Sequence, residues 1–361
     1  MRLESARSLK EELLSSFMAP IIEAASRLMA RVGGGKPAGT LPLALPAQPL
    51  ESAGGLHRVL ALGVAPNGRG YKLAVRVQRQ ELMDSPLLAA IRKKARNEVD
   101  VRLIGKVAVQ ARRKAKARPA RRAAGVPWYR KDVRPLLIGS SIGHFQITAG
   151  TLGAFVRHGD LICVLSNNHV LANEDRGMKG DDILQRAAFD GGRLPAERVA
   201  ALLAWQPLSR SGANYIDAAL AAVAAGIEID ADRLRGIARG RDRRLKGVSE
   251  KPVDVADKVF KIGRTTGATE GRVTAFDLDN VVVGYDSANL RFDNQIEIEG
   301  AGAEPFSLGG DSGSLIVNAR MEAVALLFAG SEQGGRNGLG LTYACPIDRV
   351  LHDLGATLLT T

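Results

Sequence analysis

A chain of 361 residues with 45% hydrophobic and 24% charged content is a soluble globular composition, long enough for two or three folding units. No apolar run approaches the roughly 18 residues that a membrane span needs; the longest, Ala218 to Ile227, is mostly alanine. The N-terminus lacks the order of a secretory leader, and Cys163 and Cys345 are too few for a disulfide framework, so a reducing cytoplasmic compartment and no membrane contact are expected.

The net charge of +12 is concentrated in two places. Lys106 to Arg134 carries eleven Lys/Arg against Asp132 alone, and Ala231 to Lys251 carries eight against three acids. The rest of the chain is slightly acidic, so basicity is not a property of the whole fold. Forty glycines and only 4% aromatics point to many turns and short strands.

In chain order, residues 1–32 read as an amphipathic helical segment. Leu3, Ala6, Leu9, Leu13, Leu14 and Phe17 recur at spacings of three and four, with Pro20 as a break. Such a stripe packs on the chain's own body or docks a partner. Residues 33–52 are rich in Gly and Pro and read as a linker. Residues 53–110 read as a small α+β domain. Strands over His57 to Val64 and Tyr71 to Gln78 join through Pro66-Asn-Gly-Arg-Gly, then come a helix over Ser85 to Arg96 and a strand over Val99 to Val109. Residues 111–135 form a basic linker. From 136 to 361, short apolar runs punctuated by glycine predict an antiparallel sandwich or a pair of barrels, closed by a helix over Pro346 to Leu354.

The strongest motif is Gly309-Gly310-Asp311-Ser312-Gly313-Ser314. A serine between glycines sits on a tight turn whose N–H groups can converge on a developing negative charge. Alone, the motif reads equally well as a plain turn. Leu161-Ile-Cys-Val-Leu-Ser-Asn-Asn-His169 adds an apolar strand that ends on a histidine. Asn214-Tyr-Ile-Asp217-Ala-Ala-Leu places a carboxylate at the start of another apolar strand, where it needs a partner. His169 is the candidate.

From about Ile138 to the C-terminus these motifs resemble the chymotrypsin-like, or trypsin-like, serine proteases, in particular bacterial intracellular members. The order His169, Asp217, Ser312 is the order of that family. The resemblance implies a mainly β fold, a double antiparallel β-barrel, here with an N-terminal helix and a small α+β domain in front. It implies a serine endopeptidase with Ser312 as nucleophile, His169 as general base and Asp217 orienting the base. The Gly310 and Ser312 amides would form the oxyanion hole. Val259-Phe-Lys-Ile-Gly-Arg264-Thr-Thr-Gly is similar to a stretch in bacterial members whose arginine pairs with the aspartate before the nucleophile, which implies an Arg264–Asp311 brace.

The position six residues before Ser312, an aspartate in relatives that cut after Arg or Lys, is Phe306. With the apolar strand carrying Phe328 and Gly330, this implies a pocket for an apolar or small side chain. Two departures stand out. Asn167 and Asn168 precede His169, and Phe328 occupies a position where many relatives place a serine against the catalytic acid. No cofactor or metal is expected, since cysteines and histidines show no ligand spacing. The expected partners are a protein or peptide substrate and a regulatory protein docking on residues 1–110. The alternatives are a silent protease-fold scaffold, or a nucleic-acid binder using the basic segment Arg112 to Arg122.

Overall fold

Short apolar runs separated by glycine become strands here, and the strands collect into two large sheets. The computed structural model describes residues 1–18, 60–109, 125–251 and 257–360. The expected linker over 33–52, the second half of the helical segment and the basic segment Arg112 to Arg122 lie outside the described residues.

In the second half of the chain six strands close on themselves. Lys258–Gly263 pairs with Gly267–Asp279, and that with Gln295–Gly300. The ring continues through Thr342–Pro346, Ala323–Ser331 and Leu315–Asn318 back to Lys258–Gly263, every pair antiparallel. Seven strands between Ser141 and Val223, joined by Thr357–Leu358, build an eight-stranded curled sheet in which Ala154–His158, Leu161–Ser166, Ala219–Val223 and Arg198–Trp205 are successive neighbours. This is the double-barrel, mainly β class expected, with one barrel closed and the other left as a curl.

The closing strands are buried on both faces. Leu315, Val317, Leu326 and Tyr343 join a core that runs on into the first sheet, while Ile316, Leu327 and Ala344 face a second cluster with Val273 and Ile298. That double burial explains why Ala323 to Ala329 reads as a continuous apolar run and not as an alternating one. The terminal helix Ile347–Asp353 packs Ile347 and Val350 on the first of these cores.

Residues 60–109 hold a hairpin and a helix near the expected places, but the single strand expected over Val99 to Val109 is two, Val99–Leu103 beside Gly70–Val77 and Val107–Val109 elsewhere in the sheet, and these strands extend the barrel sheet. Ala61–Asn67 pairs with Gly70–Val77 through a tight turn, and also with Gly267–Asp279 (Leu62 opposite Asp279, Val64 opposite Phe276). The helix Pro86–Lys94 starts where sequence rules place it: Ser85 Oγ accepts from the Leu88 N–H at 3.2 Å and Pro86 follows the cap. A further strand, Val107–Val109, inserts between Val281–Gly284 and Ala329–Ser331.

A buried ion pair ties this unit to the barrel. Arg76 Nε lies 2.6 Å from Glu297 Oε2 with both side chains fully buried, and Asp100, Thr274 and Tyr343 complete the cluster. The amphipathic helix Leu3–Leu13 packs on the chain's own body. Ala6 and Leu13 are buried, and Lys10 Nζ meets Asp279 at 2.7 Å. No helix among the described residues is long and apolar enough to cross a membrane.

Candidate active site

The strand Leu161–Ser166 ends at Asn167, and a one-turn helix over Asn168–Leu171 then carries His169 into the space between the two sheets. Two asparagines fasten that turn. Asn167 Nδ2 donates to the Asp217 carbonyl at 2.7 Å, and Asn168 Nδ2 donates to Asp175 Oδ1 at 2.6 Å and to the Gln206 carbonyl at 2.8 Å. The departure seen in the sequence is therefore a pair of bolts, Asn167 holding the His169 turn to Asp217 and Asn168 holding it to Asp175 and Gln206.

Asp217 is fully buried, so its carboxylate depends on donors. His169 Nδ1 lies 2.5 Å from Oδ2, and the His169 backbone N–H reaches Oδ1 at 3.3 Å. The Tyr285 hydroxyl donates to Oδ2 at 2.6 Å. Burial, and then the Asp217 charge, push the Tyr285 hydroxyl well above its ordinary value, which keeps it protonated and able to donate. Cys345 lies on the same side with its thiol raised well above the usual range by burial. Cys163 is raised to about 11 by the same cause, and both cysteines are free.

Phe328 is part of this arrangement in an unexpected way. It packs on Phe292 at 4.7 Å between ring centroids, Phe292 stacks on Tyr285 at 5.9 Å, and Tyr285 meets the His169 ring edge-on at 6.0 Å. An aromatic column thus stands where a serine donor was to be expected, and Tyr285 supplies the hydroxyl from another strand.

Ser312 sits on its turn against the first sheet. The Thr151 N–H donates to the Ser312 carbonyl at 2.8 Å, and Thr151 Oγ1 donates to the Gly310 carbonyl at 3.0 Å. Gly310 and Gly313 both have positive φ, +95° and +89°, and a methyl at Gly313 would overlap Ser166 Oγ and the Thr151 carbonyl. Only glycine fits that approach, which brings the Ser312 turn onto the strand delivering His169. Neither the Gly310 nor the Ser312 amide is engaged by an acceptor among the described residues. Ser312 Oγ is 3.4 Å from the Phe328 carbonyl, while His169 Nε2 is buried without a hydrogen-bond partner. A hydroxyl held this way must rotate toward His169 to transfer its proton, and loose pairing of nucleophile and base is common without substrate.

The Arg264–Asp311 brace is not what the structure shows. Arg264 forks onto Asp190, Nε to Oδ2 at 2.7 Å and Nη2 to Oδ1 at 2.6 Å, with Phe189 against its guanidinium. Asp311 instead accepts from the Thr265 and Thr266 amides (2.8 and 3.1 Å), the Thr266 hydroxyl (2.8 Å) and the Leu308 amide (2.9 Å). Lys261 Nζ, fully buried, stands 3.5 Å from it. The physical reason lies in the turn after Gly263. It wraps its own N–H groups round Asp311, and a side chain on Gly263 would collide with that carboxylate. Arg264 is left to bind the first sheet to the second. Burial lowers the Lys261 pKa, and Asp311 opposes that effect.

Phe306 is not a pocket wall either. It is buried in the cluster with Val273 and Ile298, beneath Lys261, with its carbonyl taken by Thr269 Oγ1 at 2.8 Å. The residue that sequence reading missed altogether is Tyr285, whose contact with Asp217 bridges 68 positions. Lys261 had a signal, since a lysine within Val-Phe-Lys-Ile of a buried strand demands an anion. Among the described residues no group of three or more His, Cys, Asp or Glu could hold a metal ion.

No family model and no curated protein matches the sequence. Among solved structures, Thermobifida fusca protease A is similar at 16% identity over 62% of this chain and 98% of its own, with a TM-score of 0.45. Cellulomonas bogoriensis chymotrypsin is similar at 19% identity, over 62% of this chain and 98% of its own, TM-score 0.42. A glutamic acid specific serine protease with a histidine triad in substrate binding is similar at 19%, over 62% and 100%, TM-score 0.45.

Proposed function

We propose that the chain is a serine endopeptidase acting through an acyl-enzyme, with Ser312 as nucleophile, His169 as general base and Asp217 as the acid that orients it. One observation carries the reading. His169 Nδ1 is held at 2.5 Å by a fully buried carboxylate, which leaves Nε2 as the only free ring nitrogen, and the glycine turn bearing Ser312 packs on Ser166, three residues before His169.

In the first step Ser312 Oγ attacks the scissile carbonyl carbon as its proton passes to His169 Nε2. The carbonyl electron pair becomes an oxyanion that accepts from the Gly310 and Ser312 amides, each such donor lowering the barrier by about 3–4 kcal/mol. His169 then gives the proton to the departing amine nitrogen as the C–N bond breaks. Water attacks the resulting ester with His169 again taking a proton, and Ser312 is regenerated. Asp217 stays ionised and steadies the imidazolium.

A preference for small or apolar side chains remains part of the proposal. It now rests on Gly330 and the apolar strand around it, because Phe306 is withdrawn into the barrel and Phe328 is committed to the aromatic column. The test is labelling by a fluorophosphonate, with the modified residue located by mass spectrometry. Labelling of Ser312 that disappears in Ser312→Ala supports the reading. An inert Ser312 across pH 6 to 9 would favour a silent scaffold of the same fold.

A further inference from the structure

The strand Ala323–Ser331 has two edges. One is covered along its length by Thr342–Pro346. The other meets a succession of neighbours that leads through the candidate active site. It begins against Leu315–Val317. It then meets the nucleophile turn, where the Leu327 amide donates to the Ser314 carbonyl at 3.0 Å and the Gly313 amide to the Leu327 carbonyl at 2.8 Å. Next comes Ser312 itself, with Oγ 3.4 Å from the Phe328 carbonyl.

Beyond Ser312 the same edge is covered by residues far upstream in sequence. Val109, Ala108 and Val107 lie opposite Ala329, Gly330 and Ser331, antiparallel. The pairing runs on through the Glu332 amide to the Lys106 carbonyl at 2.9 Å and the Gln333 amide to the Ile104 carbonyl at 3.1 Å. The inserted strand therefore travels toward Ser312 as it goes from Val107 to Val109. Its side chains at 107 and 109 are buried in the shared core, while Ala108 is only partly covered.

An extended polypeptide binds a protein by adding a strand to an open edge, with main-chain hydrogen bonds for affinity. The edge beyond Phe328 is the one from which such a peptide would run straight to Ser312. It is filled by the chain's own backbone. Given the protease reading above, on which this rests, we infer that Val107–Val109 occupies the substrate edge in cis and holds the enzyme self-inhibited. The substrate class follows as an extended polypeptide, which gains the edge only when that strand leaves it.

The inserted strand is three residues long, and its other neighbour, Val281–Gly284, holds it by a short parallel pairing at Val283 and Gly284. Strand loss there breaks no hydrogen bond that His169, Asp217 or Ser312 makes directly.

The experiment uses the full chain and two probes. One is a small fluorophosphonate with no peptide part, which needs only a competent Ser312. The other is a tetrapeptidyl phosphonate with small apolar residues, which also needs the edge. In Ala108→Pro the ring removes an N–H from a strand with neighbours on both sides and cannot stay paired. The expected result is small-probe labelling of Ser312 within about twofold of the unmutated chain, and peptidyl-probe labelling at least ~10-fold faster in the variant.

Equal peptidyl rates in the two proteins overturn the inference while leaving the protease reading intact. Failure of the small probe in the unmutated chain overturns both. Should the variant lose its thermal transition, hydrogen exchange on the unmutated chain decides. Saturation with the peptidyl phosphonate should raise deuterium uptake across residues 104–109, and unchanged uptake in fully labelled protein overturns the inference.

Discussion

Tyr285 donates its hydroxyl to Asp217 Oδ2 at 2.6 Å, the same oxygen that His169 Nδ1 meets at 2.5 Å. Asp217 is thereby fixed from two sides, by a ring that it orients and by a phenol that burial keeps protonated. Tyr285→Phe keeps the ring stacked on Phe292 and deletes one hydrogen bond to a buried charge, a loss of about 1.5–3 kcal/mol. Fluorophosphonate labelling of Ser312 should slow roughly 10- to 100-fold, with the thermal midpoint moving by only a few degrees. A labelling rate unchanged from the parent would show that Tyr285 does not position Asp217.

The seat of Asp311 separates two readings of Arg264. Its fork lies on Asp190, so a double-mutant cycle of Arg264→Ala with Asp190→Ala should give a coupling of about 1–3 kcal/mol in urea denaturation. The cycle of Arg264→Ala with Asp311→Asn should give a coupling within about 0.5 kcal/mol. A larger coupling to Asp311 than to Asp190 would restore the pairing that the sequence suggested.

These two cases show what was legible and why. Ser312, His169 and Asp217 were readable because each carries a local demand: a glycine turn, a histidine closing an apolar strand, a carboxylate opening one. The His169–Asp217 contact then follows from the pairing of the strands Leu161–Ser166 and Ala219–Val223 that flank them, and the Ser312 turn packs on the first of these. Tyr285 carries no such demand, and its partner lies 68 positions away, just before a strand whose neighbours the sequence does not specify. The Arg264 fork crosses 74 positions to Asp190, in a turn with no pattern to single it out. Phe306 could be placed near the site but not aimed, because it lies in the irregular segment between Gln295–Gly300 and Leu315–Asn318, where no strand or helix period sets a side chain's direction. In the small unit the hairpin and the helix Pro86–Lys94 were legible, while the split of the expected strand Val99 to Val109 in two and the allegiance of its parts were not. Edge pairing to Asp279 and Ser331 depends on backbone groups, which every residue has.

Stability at low pH should report the Arg76–Glu297 pair. Burial acts to raise the Glu297 carboxyl, and the Arg76 charge and hydrogen bond together with Arg102 and Thr274 outweigh it, so the folded value lies below the ordinary 4.5. A carboxyl depressed in the folded state contributes stability that is fully present above its unfolded value and is lost as pH falls through the folded one. Asp100 is lowered in the same cluster and adds to the same window. The unfolding free energy should therefore drop steeply below about pH 4.5, and Glu297→Gln should flatten part of that slope. Glu297→Ala should cost about 3–5 kcal/mol at neutral pH by removing the fully buried carboxylate from buried Arg76 and leaving it the half-buried Asp100. A pH profile identical in Glu297→Gln and the parent would remove Glu297 from the account.

Gly313→Ala is the sharpest test of the nucleophile turn. The backbone there has φ +89°, where a Cβ is strained, and the added methyl would overlap the Ser166 hydroxyl and the Thr151 carbonyl. The hydroxyl could rotate aside, but the carbonyl belongs to the backbone and cannot. Relief must come from the turn itself, by moving Ser312 away from the strand that delivers His169. Displacement of a reacting atom by about 1 Å is enough to lower a rate ~100-fold. Small-probe labelling of Ser312 should fall by at least that factor, while the Arg76–Glu297 cluster, which shares no contact with the turn, keeps its acid transition. Near-parental labelling would mean that the turn accommodates the methyl without moving Ser312, and that the close packing of Gly313 on Ser166 is not what sets the nucleophile's position.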